Sequence, residues 1–107
     1  MTLNISHRGL EMTPAIHDYV EEKMLSLEKY FDNIRHMDVE VGLTTHHHQK
    51  GDIFFCKVVM QIDGDVERIE KETDDLYKAV DEVKDALRIQ LTELKRKLED
   101  RNQGKIA

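Results

Sequence analysis

Three groups of residues in this sequence have side chains that could do chemistry. His46, His47 and His48 stand together upstream of the lone Cys56, and imidazole and thiolate are zinc ligands. A closed tetrahedral site needs ligands whose spacing lets them converge on one ion. Three adjacent loop residues cannot all do so, and Cys56 belongs to the apolar side of its run, where it reads as a small buried hydrophobe. No metal is assigned. The second group is cationic: Lys23, Lys29, Lys84, Arg88, Lys95, Arg96 and Lys97. Such side chains neutralise phosphates and release counterions, fixing position without reading sequence. The third is Tyr77, whose ring can stack on a base or close a core with its hydroxyl at the rim; at a helix start beside Leu76 the core role is expected. A Gly-rich phosphate loop and a nucleophile motif are both missing, and acids stand singly. The chemistry is that of a binding protein. No enzyme, no cofactor and no small-molecule substrate are expected.

The cations matter because of where they fall. Net charge is −6 over 107 residues, a balance that opposes contact with a polyanion. Residues 1–85 hold ten Lys/Arg against nineteen Asp/Glu, whereas residues 86–107 hold six against three. An asymmetry of this kind suggests a polyanion-facing end. It is equally what bases complementing the C-terminal end of a helix dipole would produce, and side chains such as Lys84 among Asp81 and Asp85 fit a solvated helix face.

The elements that must position these residues follow from periodicity. Leu3 and Ile5 alternate with polar neighbours in a short strand to about Arg8. Thr13 as N-cap and Pro14 at the first position open a helix. Ile16, Val20, Met24, Leu27 and Phe31 trace one face of it, and Asp32-Asn33 ends it. From Met37 the period becomes two through Val39, Val41 and Leu43, a half-buried strand. Ile53 to Ile62 reads as a central strand, with Phe54, Cys56, Val58, Met60 and Ile62 on its apolar side. Asp63-Gly64 makes a hairpin turn into a fourth strand, Val66 to about Glu72. Thr73-Asp74-Asp75 opens a long second helix with the stripe Leu76, Val80, Val83, Leu87, Leu91, Leu94 and Leu98. The order is β-α-β-β-β-α. This predicts an α+β domain, one face of a four-stranded sheet covered by two helices and the other left to solvent. A single domain spans residues 1–107, compact from Leu3 to Leu98 with a C-terminal tail, and helix 2 outruns the sheet beyond about Leu94.

Composition bounds the setting. Hydrophobic residues are 39% and charged residues 36%, the balance of a globular domain with a charged surface. One cysteine cannot build a disulfide framework, and neither a signal peptide nor a membrane-length apolar run is present. A cytoplasmic monomer, away from membranes, is expected.

Two stretches carry a family resemblance. Leu3-Asn4-Ile5 leading to Thr13-Pro14-Ala15-Ile16, then Leu27-Glu28-Lys29-Tyr30-Phe31-Asp32, resembles the first half of the ribosome hibernation promoting factors, also described as sigma-54 modulation proteins. Asp75-Leu76-Tyr77-Lys78-Ala79-Val80-Asp81, then Gln90-Leu91 and Lys95-Arg96-Lys97, resembles their second helix. The resemblance covers Leu3 to Leu98 in order. It implies a fold like that of double-stranded RNA-binding domains with an added strand. It further implies binding to small-subunit rRNA in the channel for mRNA and tRNA, arresting translation in stress or stationary phase. The length fits a short member without the module that pairs ribosomes. Family members present two basic helices. Here Lys23 and Lys29 match, but His17, Glu22 and Ser26, and Ala86, Ile89 and Glu93, occupy positions often basic in relatives. Lys84, Arg88, Thr92 and Lys95 form a neighbouring ridge instead, so the RNA-facing side of helix 2 is rotated or the grip is weaker. The rival reading is a protein-interaction module on the same fold with weak or no rRNA binding.

Overall fold

The computed structural model describes the backbone of residues 1–44 and 51–106, and side chains through Glu99. Its elements are β1 (Thr2–Arg8), α1 (Pro14–Leu25), a turn of 3-10 helix (Ser26–Lys29), β2 (Ile34–Leu43), β3 (Phe54–Ile62), β4 (Asp65–Thr73) and α2 (Leu76–Ile106). The sheet order is β1-β2-β3-β4, with β1 parallel to β2 and the other pairs antiparallel. The parallel pair follows from α1, which carries the chain across the sheet between β1 and β2. The predicted α+β architecture is the one observed.

Local chemistry sets the ends. Ile16 N donates to Thr13 Oγ1 at 3.2 Å, and Pro14 occupies the first turn. At α2, Tyr77 N donates to Asp75 Oδ1 at 2.9 Å, so Asp75 caps this helix. Gly64 takes φ +80 in the two-residue loop that pairs Ile62 with Asp65. Helix 1 is shorter than its apolar stripe: the α-helix stops at Leu25 and tightens into the 3-10 turn, where Leu27 is buried. Phe31 reaches the core from beyond that turn, and β2 begins at Ile34.

The core lies between the helices and one sheet face. Val20, Met24 and Leu27 meet Met37, Val39, Val41, Cys56, Val58, Met60 and the α2 residues Leu76, Val80, Val83, Leu87 and Leu91, all buried. Each such α2 side chain stabilises by about 1.5–3 kcal/mol relative to exposure. The stripe loses its cover outward, Leu94 being half-buried and Leu98 37% exposed. The helix continues to Ile106 where a tail was expected. Burial pushes the Cys56 thiol up to about 12.

The second sheet face departs from the expected solvated surface at one place. Phe55, on the side opposite Cys56, is 1% exposed. Its cross-strand partner is Gly42, and the Arg8 guanidinium lies 4.8 Å from the ring centre. Period-two alternation marks Phe55 as outward, but a glycine opposite and a cation above enclose it.

Candidate nucleic-acid interface

Helices α1 and α2 lie side by side, and their contacts define a ridge on α2. The Tyr77 ring meets Tyr19 edge-on, centroids 4.8 Å apart at 84°. It is 42% exposed, so its expected place in the core is corrected: the aromatic contact sits at the helix–helix surface. Tyr19 donates its hydroxyl to Asp81 Oδ1 at 2.6 Å. Lys23 Nζ is 3.8 Å from that same oxygen and 5.2 Å from the Tyr19 ring centre. Farther along, the Arg88 guanidinium lies 5.9 Å from the Tyr30 ring centre. Beyond it, Lys29 and Lys95 line a cleft of about 450 Å³, with Tyr30, Asp32 and Leu98 among its other walls.

Positions 77, 81, 88 and 95 therefore share the side of α2 that faces α1 and the 3-10 turn, as helical spacing requires. Lys84, half-buried, falls on the same ridge between Asp81 and Arg88. Lys23, Lys29, Arg88 and Lys95 follow the seam between α2 and the α1/3-10 segment, and helical spacing sets Lys84 on the same ridge. Lys97 does not join them, and Arg96 meets them only through Arg88. At about 100° per residue the three consecutive cations fan around the helix. Arg96 borders a shallow depression with Arg88, Ile89, Thr92 and Glu93, so Arg88 adjoins both surfaces, and Lys97 turns to the far flank. The run that looks like one patch in sequence is split by the helix. The ridge with the bases is not that of Ala86, Ile89 and Glu93, and Ile89 is 54% exposed.

The groove is not uniformly positive. Asp81 compensates Lys23, and Glu28, Asp32 and Glu99 share the cleft with Lys29 and Lys95. The Tyr19–Asp81 bond has a spectroscopic consequence. The hydrogen bond to Asp81, aided by desolvation and the same carboxylate's charge, pushes the Tyr19 hydroxyl up to about 12. One of the three tyrosines is thus expected to ionise near 12 in an alkaline absorbance titration. Asp81→Ala should return it toward the ordinary range. The folded value lies above the unfolded one, so this contribution to stability is whole below about pH 10 and is lost as pH rises through about 12.

Residue type and spacing alone assign no role to two residues at this surface. Tyr30 sits within a motif otherwise read for its core residues, and Asp81 looked like one more exposed acid. Their signal is spacing from Lys29, Arg88 and Lys23, visible only once the two helices are docked. The run His46-His47-His48 lies outside the described residues. Among the described residues no cluster of His, Cys, Asp and Glu could hold a metal, and no helix is long and apolar enough to cross a membrane.

Comparison with known proteins places this geometry. A family model described as "Sigma 54 modulation protein / S30EA ribosomal protein" matches residues 3–99. The ribosome hibernation promoting factor of Azotobacter vinelandii is 35% identical over 104 residues, covering 97% of this chain and 92% of that one. The ribosome hibernation promotion factor of Bacillus subtilis is 32% identical over 98 residues, 92% of this chain but 50% of its own length. The crystal structure of the protein Y N-terminal domain of Thermus thermophilus superposes with a TM-score of 0.71 at 32% identity, covering 88% of this chain and 99% of that one.

Proposed function

The chain belongs to the Sigma 54 modulation protein / S30EA ribosomal protein family, and from that premise we propose that it is a ribosome-associated hibernation factor of the cytoplasm. It acts by occupancy, without catalysis, cofactor or small-molecule substrate. The groove between α1 and α2 lies along small-subunit rRNA in the channel used by mRNA and tRNA, as a monomer, and excludes both. What supports this reading is that cations from two separate segments, Lys23 and Lys29 on one side and Arg88 and Lys95 on the other, follow one seam, with Lys84 on the same ridge by helical spacing. Phosphate rows are bound by such arrays through charge and shape, which suits A-form RNA.

The test is co-sedimentation with purified small subunits across a salt series. Binding is expected to fall by roughly tenfold or more between 50 and 200 mM salt, each phosphate contact adding close to one unit of logarithmic slope. Association indifferent to salt would sink the phosphate mechanism. A second reading has its own support in the carboxylates at Asp81, Glu28, Asp32 and Glu99: a protein-interaction module that grips rRNA weakly. In the same experiment it predicts no pelleting with subunits and a salt-insensitive protein complex.

A further inference from the structure

The cleft where the groove opens, between the 3-10 turn and the outer part of α2, has features that phosphate binding alone does not use. Its volume, about 450 Å³, is within the range of small-ligand sites. Tyr30 lines it at 36% exposure, although its neighbours in sequence and turn, Leu27 and Phe31, are buried. Position 30 thus presents an aromatic ring to the cleft where the core makes no call on it. Lys29 and Lys95 stand at the walls, and Arg88 lies 5.9 Å from the ring centre, at the limit of cation–π range. The carboxylates of Glu28, Asp32 and Glu99 also line it. They oppose a bare phosphate cluster but accept hydrogen bonds from the amino groups of a base edge.

We propose that this cleft takes one unpaired RNA nucleotide, its base stacked on Tyr30 and its phosphates against Lys29 and Lys95. The inference rests on the rRNA-binding reading and deepens it. Sequence-tolerant recognition of single-stranded RNA joins cations that track the backbone to aromatic faces that hold bases. The cations along the seam supply the first part and Tyr30 the second. Asp32 and Asn33, which line the same cleft, give the base edge polar partners.

Stacking and charge leave different signatures. A neutral aromatic contributes affinity without releasing counterions, whereas a lysine on phosphate sets the salt slope. The experiment titrates the full chain against a labelled six-nucleotide adenosine RNA by fluorescence anisotropy at several salt concentrations. Small-subunit sedimentation is run in parallel. Tyr30→Phe keeps the ring and is expected to bind as the unsubstituted chain does. Tyr30→Leu is expected to weaken RNA binding by about 5- to 100-fold with the salt slope unchanged. Lys95→Glu is expected to lower affinity and slope together. Tyr30→Gln repeats the measurement should the leucine variant prove insoluble, and unchanged thermal midpoints exclude a folding effect. A leucine or glutamine variant that binds the hexamer normally, or that lowers the slope as Lys95→Glu does, overturns the base site. Hexamer binding that depends on the ring, in a chain that never pellets with small subunits, rejects the ribosomal reading while the site stands.

Discussion

Lys29→Glu, Arg88→Glu and Lys95→Glu together are expected to weaken binding to small ribosomal subunits by roughly a hundredfold or more at low salt and to flatten the salt dependence by about three units. Each of these cations is exposed, so the core is untouched, and the loss arises at the groove. A second triple, Lys57→Glu, Lys71→Glu and Lys97→Glu, changes net charge identically. Lys57 projects from the sheet face away from the helices, Lys71 from the β4 edge strand and Lys97 from the far flank of α2. That control should lose only the modest affinity expected from long-range repulsion, which salt screens beyond about 10 Å. The comparison is sharp because the sequence alone groups Lys95, Arg96 and Lys97, whereas the helix separates Lys97 from Lys95 by about 200°. Equal losses in the two triples would mean that total charge governs association, and the groove would have no special standing.

This contrast shows what sequence patterning can and cannot deliver. Element order, the hairpin at Asp63-Gly64, the cap at Thr13 and a helix start within Thr73-Asp74-Asp75 are local events, legible from a few adjacent residues. The apolar stripe of α2 was legible too, because burial repeats with the helical period. What was not legible depends on two segments meeting. Asp81 neutralises Lys23 across the helix pair, and Tyr30 acquires Arg88 as a neighbour; neither pairing leaves a trace in either segment alone. The end of α1 illustrates the same limit. Leu27 and Phe31 keep the spacing of a continuing helix, yet the backbone tightens at Ser26 and turns, and both still reach the core. Periodicity reported burial correctly there and backbone conformation incorrectly.

Gly42 is the strongest case of a constraint set by tertiary contact, and its replacement should be the most damaging single change in the sheet. A Cβ at this position would overlap the Arg8 carbonyl oxygen and lie 2.7 and 2.9 Å from two Phe55 ring carbons. The first contact is with backbone of the paired strand β1, which cannot move without disturbing the β1–β2 ladder. The second is with a ring that is itself enclosed beneath Arg8. Overpacking of a well-filled site costs about 1–3 kcal/mol and more where no flexible atom can yield. Gly42→Ala is therefore expected to cost about 3 kcal/mol, which for a domain of this size lowers Tm by roughly 12–24 °C, and Gly42→Val more. Phe55→Ala in the same chain frees only the ring-side clash. The double variant Gly42→Ala/Phe55→Ala should thus be less destabilised than the sum of the two singles, while remaining well below the unsubstituted protein because the Arg8 oxygen still blocks the methyl group. Thermal unfolding followed by circular dichroism reads both effects. A glycine inside a strand often marks close backbone approach, so the sequence held the hint, but only the register Arg8–Gly42–Phe55 says what approaches. A Gly42→Ala midpoint within about 2 °C of the parent, less than half the shift that 1 kcal/mol produces, would show that β1 can shift aside, and the account of how this sheet face closes over Phe55 would fail with it.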